Sequence, residues 1–375
     1  MYSNNDRLTE RQRQILDLYN QLGTDKKVAE ELGITRTGVT KTRNAALRKL
    51  EADDGVIDAM SNAGLKNYDN VHSGWLKTDE ASIYFVNPKV DDEQREDLVE
   101  TFKEAFKDAP KSFPTAAPTD IDDELLSKYI LADLHMGMRA WEPEAGDNYD
   151  LDIAVERLQT TFSTLVRSTP NSKIGLIENL GDTFHANDHK NMTPGSGHIL
   201  DSDGRFTKIM YETVKAVVTL VEELKEKHET VKYVGVSGNH DVDANHYLTI
   251  ALMMRFHDDP RVDIIWNPAK MWSMDFGNVL LAAHHGDRVK PERLAMQLAD
   301  DFAPLWGKTK WRYLDTGHIH HDSSKDIGGV FWESHRTLAS RDAYATGAGY
   351  VSRSTLKSVT YHKERGEIIR NTVGV

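Results

Sequence analysis

Five short segments of this chain each close an apolar run with residues able to hold a metal ion or move a proton. Tyr129-Ile130-Leu131-Ala132 runs into Asp133-Leu134-His135, and residues 174–180 run into Gly181-Asp182-Thr183-Phe184-His185. Residues 231–236 lead to Gly238-Asn239-His240-Asp241, Val279-Leu280-Leu281 to His284-His285-Gly286-Asp287, and Tyr313-Leu314 to Gly317-His318-Ile319-His320. Carboxylates and neutral imidazoles are ligands for borderline divalent metals such as Mn, Fe and Zn. In extended backbone, residues i and i+2 project to one side. Asp133 with His135, and His318 with His320, are therefore expected to converge on a cavity. Glycine beside such ligands lets backbone and substrate approach closely. Two ions roughly 3.5–4 Å apart can polarise a phosphoryl oxygen and activate a water between them. A single such segment would be an ordinary turn or a core histidine. Five in series, each at a strand end, mark a site.

The elements that must position these residues follow from the spacing. Strand-like runs alternate with helical patterns: Ile153, Leu158, Phe162 and Leu165 line one helix, and Phe206, Met210, Val214, Val218 and Val221 another. Such alternation predicts an α/β fold with the site at the carboxyl ends of strands. Residues 330–333, 357–361 and 367–370 read as further strands that finish this core. The chain has 375 residues, ample for a buried core, with 39% hydrophobic and 28% charged residues. It has no cysteine, which excludes disulfides, thiolate nucleophiles and Cys-based zinc sites. The start, Met1 to Arg7, lacks the apolar core of a signal peptide, and the longest apolar stretches, 216–221 and 248–254, are too short to span a bilayer. No membrane association and a cytoplasmic location are the expectation.

The net charge of −13 is unevenly spread: residues 1–50 carry +4 and the remainder −17. Separate partners for separate domains are expected. Three helices fit the first fifty residues. The first starts near Thr9, which with Gln12 forms a capping box and presents Ile15, Leu16 and Tyr19 on one face. The second, 26–32, stops at Gly33. The third, capped by Thr35, runs from Arg36 to about Leu50. Leu32, Ile34 and Val39 are expected to pack against the first helix. The third carries Arg36, Lys41, Arg43, Arg48 and Lys49 with no acid between them, as groove docking and phosphate contacts require. This segment resembles the helix-turn-helix modules of LuxR-type regulators and of the fourth region of sigma factors. A plain three-helix bundle for protein contacts is the alternative. A small hairpin across 78–81, a helix over 91–108 and a linker marked by Pro110, Pro114 and Pro118 join this module to the rest. The expected domains are a helix-turn-helix DNA-binding module over 1–52, a small α/β arm and linker over 53–120, and the α/β core over 121–375.

Taken together, D-x-H, G-D, G-N-H-D, H and G-H-x-H resemble the pattern of calcineurin-like metallophosphoesterases over about 250 residues. The resemblance implies a two-sheet β-sandwich core flanked by helices. It implies that Asp133, His135 and His320 hold one metal, that Asn239, His285 and His318 hold a second, and that Asp182 bridges both. The metals implied are two divalent ions, Mn first, with Fe, Zn and Mg as alternatives. His240 would stabilise the transferring phosphoryl group or protonate the leaving oxygen. Asp241 would orient a neighbour from the second ring of contacts, as would His284. His285 is preferred to His284 as ligand because the family's ligand immediately precedes the glycine. Gly181-Asp182-Thr183-Phe184-His185 departs from the protein phosphatase form G-D-x-V-D-R-G and is similar to SbcD-type repair nucleases, which implies a second catalytic histidine at His185. A helix-start residue without chemistry is the alternative there. SbcD-type proteins continue into a DNA-capping domain, whereas the 54 residues after His321 read as core strands. The whole layout looks like phage-encoded phosphoesterases.

The expected function is a two-metal phosphodiesterase, a DNA nuclease in which a metal-held hydroxide attacks phosphorus. The N-terminal module and the active site would both contact DNA. Alternatives are hydrolysis of a small nucleotide, and a DNA-binding regulator with an inactive phosphoesterase fold. Helix-turn-helix proteins often bind as dimers, so a homo-oligomer is a candidate state. Residues 186–205, with Asp188, His189, Lys190, Asn191, Ser196, His198, Asp201, Asp203 and Arg205, are expected to border the cavity. Arg336, Arg341, Arg353 and Lys357 are phosphate-contact candidates, with plain surface charge as the alternative.

Overall fold

A computed structural model describes residues 8–51, 73–77, 82–86 and 116–375. The chain divides into two compact units, Met1–Glu96 and Asp97–Val375. In the first, α1 (Glu10–Leu22), α2 (Asp25–Leu32) and α3 (Arg36–Glu51) form as the caps dictate. The Thr9 hydroxyl accepts the Gln12 N–H at 3.3 Å, and Gln12 returns a carbonyl to the Thr9 N–H at 3.1 Å. Gly33 ends α2 in the left-handed region at φ 63°. The Thr35 hydroxyl accepts the Gly38 N–H at 3.1 Å. Ile15, Val28, Ala29 and Val39 make the core, with Leu32 at its edge. Ile34, expected to pack there, is exposed: it follows the Gly33 turn, and α3 reaches α1 through Val39 instead. The hairpin is present as β1 (Ser73–Lys77) antiparallel to β2 (Ser82–Val86). Its turn, the helix expected over 91–108 and the linker prolines 110 and 114 lie outside the described residues.

The second unit is a sandwich of two sheets flanked by helices, the architecture expected. One sheet has the order β13-β12-β3-β4-β5-β6. Its strands are β3 (Asp122–Leu131), β4 (Ser172–Asn179), β5 (His228–Gly235), β6 (Val262–Ile265), β12 (Thr355–His362) and β13 (Gly366–Gly374). The four from β3 to β6 run parallel. The other sheet has the order β10-β11-β9-β8-β7, from β7 (Met271–Phe276), β8 (Val279–His284), β9 (Trp311–Thr316), β10 (Ser323–Ile327) and β11 (Val330–Ser334).

Side-chain alternation builds three apolar layers. Leu126, Ile130, Leu176 and Val234 of the first sheet meet Trp272, Val279, Leu281 and Tyr313 of the second. On the outer face of the first sheet, Tyr129, Leu131, Ile177 and Tyr233 pack against the helices Leu151–Ser168, Phe206–Leu224 and Ala244–Phe256. Both helical patterns read from the sequence appear there, with Leu158, Phe162, Met210, Val214 and Val221 buried. On the outer face of the second sheet, Leu280, Ala282 and Leu314 meet Leu294 and Leu298 of the helix Pro291–Asp301. No helix among the described residues is long and apolar enough to cross a membrane.

Candidate metal centre

All five motifs lie at carboxyl ends of strands. Asp133 and His135 follow β3, Asp182 follows β4, Asn239 to Asp241 follow β5, His284 ends β8 with His285 next, and His318 and His320 follow β9. Their loops are knitted by backbone hydrogen bonds. The N–H groups of Asp133, His135 and Met136 donate to the carbonyls of Gly181, Asp182 and Thr183, and Gly317 N–H donates to the His285 carbonyl. Two glycines are forced by close approach. A Cβ on Gly238 would lie 2.0 Å from Asp182 Oδ1, and one on Gly317 would lie 2.5 Å from Asp133 Oδ2.

Asp133 and His135 converge as expected, whereas His318 and His320 fall in different groups, and neither pair lies in extended backbone. Asp133, His135, Asp182, His318 and His320 all adopt positive φ, between 45° and 69°. The strands stop at Leu131, Asn179 and Thr316, and each ligand-bearing loop turns through left-handed residues. Asn191 is the sixth non-glycine residue of this kind among the described residues. Such conformations cost of order 1–3 kcal/mol each and persist where surrounding contacts over-determine them.

Ligand atoms of Asp133, His135 and His320 lie within 4.8 Å of one another, and so do those of Asp182, His285 and His318. His135 Nε2 faces His320 Nε2 at 3.2 Å, and His320 Nε2 lies 3.4 Å from Asp133 Oδ1. His285 donates its Nδ1–H to the Leu180 carbonyl at 2.8 Å. Its Nε2 then faces Asn239 Oδ1 at 3.0 Å and Asp182 Oδ2 at 3.2 Å. Atoms bearing lone pairs thus point at one another, and only a proton or a cation between them makes that arrangement favourable. The donor set therefore fits divalent metal. Burial opposes charge on His285, yet the Asp182 carboxylate raises its pKa to about 10. Burial likewise works against the Asp182 carboxylate, but His285, His240 and His135 more than offset it, and its pKa is depressed. Asp133, Asp182 and His285 are buried, while Asn239, His240, His318 and His320 are half-buried, so the cluster opens to solvent on their side.

His240 sits beside the cluster. Its Nδ1–H donates to the His185 carbonyl at 2.7 Å, which leaves Nε2 free. Its own N–H donates to Asp182 Oδ1 at 2.8 Å. The His185 ring stacks on the His240 ring with centroids 5.6 Å apart, and His185 Nδ1 lies 3.3 Å from His135 Nδ1. Burial, with His240 adding to it, lowers the His185 pKa to about 3. Asp241 is fully buried, and its two oxygens accept the N–H groups of Asp182, Thr183, Phe184 and Gly238 and the Asn245 amide. It locks the second motif to the third. Burial and Asp182 push its pKa up while these donors pull it down, with a net rise. His284 is in none of these groups; its Nδ1 accepts the Gly286 N–H at 2.9 Å, shaping the turn that follows.

No protein-family model matches the chain, and no curated protein does. Solved structures are similar to it. A phosphoesterase from E. coli, YfcE, is 14% identical, covering 65% of this chain and 98% of its own, with a TM-score of 0.33. An archaeal phosphodiesterase is 11% identical, covering 66% and 99%, with a TM-score of 0.33. Vacuolar Protein Sorting 29 from Cryptosporidium parvum is 12% identical, covering 68% and 98%, with a TM-score of 0.34.

Residues 186–205 form an ordered rim. Met192 bridges Ile199, Asp203 N–H donates to the Gly137 carbonyl, and His198 is near enough to depress the His185 pKa. Asn187 accepts the N–H groups of Asp243 and Ala244 and so anchors the start of the helix Ala244–Phe256. Lys357 is not a phosphate contact: it is buried between Glu333, at 2.5 Å, and Asp322, at 3.3 Å. Arg336 pairs with Asp322 at 3.3 Å, Arg341 is half-buried and Arg353 is exposed. In the first unit Arg36 and Lys41 are exposed on α3. Arg43 is committed within the bundle: it pairs with Asp25 at 2.9 Å and covers the Tyr19 ring at 4.3 Å. The side chains of Arg48 and Lys49 lie outside the described residues. Thr337 was not anticipated from sequence: its hydroxyl donates to the Asp133 carbonyl at 2.5 Å, across 204 residues, and no local pattern marks it.

Proposed function

We propose that this chain is a two-metal-dependent phosphodiesterase acting on DNA. One observation carries the reading: two Asp/His groups, drawn from both sheets, meet at the carboxyl ends of strands, with every member but His285 in left-handed backbone. The resemblance of the five motifs to calcineurin-like metallophosphoesterases supports it. In this reading Asp133, His135 and His320 would hold one cation and Asn239, His285 and His318 the other, with Asp182 shared between them and Mn as the working metal. When bound, such ions polarise the phosphoryl group and lower the pKa of a water. His240, with Nδ1 tied to the His185 carbonyl, keeps Nε2 available to protonate the leaving oxygen. His185 stacks beneath it and restrains its ring. Arg36 and Lys41, with Arg48 and Lys49, supply the phosphate contacts that direct the enzyme to DNA through residues 1–52. Hydrolysis of a small nucleotide is the second reading, favoured by the charge of −17 on residues 51–375, which repels a polyanion.

The test is a substrate panel with Mn: bis-p-nitrophenyl phosphate against the mono-ester, then single-stranded DNA, duplex ends, RNA, nucleotides and a phosphopeptide. Diester and DNA turnover are expected. Asp182→Ala should abolish metal uptake and activity, and His240→Ala should lower kcat by about 10²–10⁴ at unchanged metal content. Turnover of the phosphopeptide alone overturns the DNA reading. Specific DNA binding without metal-dependent turnover marks the chain as a regulator instead.

A further inference from the structure

The layer between the two sheets is built mainly from apolar side chains, crossed by a few polar contacts such as Lys357 and Arg370 to Glu333. Along β3, residues 126, 128 and 130 share one face by alternation. Leu126 and Ile130 face the opposing sheet, and between them stands Lys128, fully buried. Its ammonium bonds Asp315 of β9 in the other sheet and lies 3.3 Å from Glu178 Oε2 on β4. Asp315 also accepts from His335 Nε2 at 2.6 Å. No backbone ladder joins β3 to β9, so this contact ties the two sheets directly.

The three strands it joins end in five of the seven candidate ligands: β3 in Asp133 and His135, β4 in Asp182, and β9 in His318 and His320. Each ligand group draws on both sheets. A slide of one sheet over the other would move the groups' members apart, and metal–ligand distances tolerate only about 0.2 Å. Apolar contacts between Leu, Ile and Val are non-directional and resist such a slide weakly. A buried, hydrogen-bonded ion pair has one geometry.

We propose that Lys128, held by Asp315 and Glu178, is the positioning residue of the metal centre, a charge clamp that sets the register of the two sheets and with it both ligand groups. Burial pushes the Glu178 carboxyl up, while Lys128 and His335 keep Asp315 ionised against burial. The neighbouring group of Asp315, Glu333 and His335 is not a further metal site, because Lys128, Lys357 and Arg370 already meet its carboxylates. The inference rests on the two-cation reading.

The test uses the full chain. Lys128→Met leaves two carboxyl groups without their cation and is expected to lower the melting temperature. The triple variant Lys128→Met/Glu178→Gln/Asp315→Asn replaces the clamp with uncharged side chains and is expected to recover stability, as replacement of buried ion pairs often does. Mn titration by calorimetry should nevertheless show the triple variant binding its second ion at least about tenfold more weakly than the wild type. Recovery of stability with weakened Mn binding supports the clamp. A triple variant that binds two Mn with wild-type affinity overturns the clamp alone. A wild type that takes up fewer than two ions overturns the two-cation reading and this inference with it.

Discussion

Replacing Asp241 with Asn changes no size and removes one acceptor oxygen. In the wild type Oδ1 accepts the N–H groups of Asp182, at 3.1 Å, and Gly238, at 2.9 Å. Oδ2 accepts those of Thr183, at 2.8 Å, and Phe184, at 3.3 Å, and also the Asn245 amide. Whichever way the new amide turns, its NH₂ group meets at least two backbone donors that cannot be satisfied. At about 1.5–3 kcal/mol for each bond to a charged group, the loss is roughly 3–6 kcal/mol. That is a large part of a typical stability of about 5–15 kcal/mol. For a domain of this size it corresponds to a fall in melting temperature of roughly 6–24 °C. The four backbone donors belong to the loops that carry Asp182 and Asn239, so Mn affinity should fall about 10–100-fold as well. Thermal melting and Mn titration on the same preparation check both numbers. An Asp241→Asn protein within about 1 kcal/mol of the wild type, with unchanged Mn binding, would show that the carboxylate does not organise these loops.

Gly317→Ala places a Cβ 2.5 Å from Oδ2 of the candidate ligand Asp133 and 3.3 Å from its Cγ, so Mn uptake should drop from two ions to one. Gly307→Ala, where a Cβ meets nothing within 4 Å, should leave uptake at two, and equal stoichiometry in both variants sinks the argument. His228 is buried against Tyr129 and Ser172, and burial lowers its pKa from 6.5 to about 3. A depressed pKa contributes stability that is complete above the unfolded value and is lost as pH falls below it. Between pH 6.5 and 5 the loss is about 2 kcal/mol. Melting curves at pH 7.5 and 5.0 should therefore converge for His228→Gln relative to the wild type, and parallel behaviour in the two proteins refutes the assignment.

Several features were legible because they are local. Helix ends follow from Thr9, Gly33 and Thr35, whose caps involve residues three or four positions away. The strand ends are marked where apolar runs meet Gly, Asp, Asn and His. The reason given for convergence was nevertheless wrong in kind. Spacing of i and i+2 suggested extended chain, whereas Asp133, His135, His318 and His320 are left-handed. Backbone handedness at a non-glycine residue is imposed by surrounding loops, and nothing in the residue type records it. The charge on α3 was legible as composition, but the loss of Arg43 to Asp25, 18 positions away, depends on how the helices pack.

Residue order alone was enough to pick out Asp and His side chains that come together at strand ends, since type and neighbours are written along the chain. What it could not disclose is how those strands are stacked. Lys128 reads as one polar residue in an apolar run, and its partners stand 50 and 187 positions away on two different sheets. A buried charge is tolerable only beside its counter-charges, and that proximity comes into being only when the sheets close on each other.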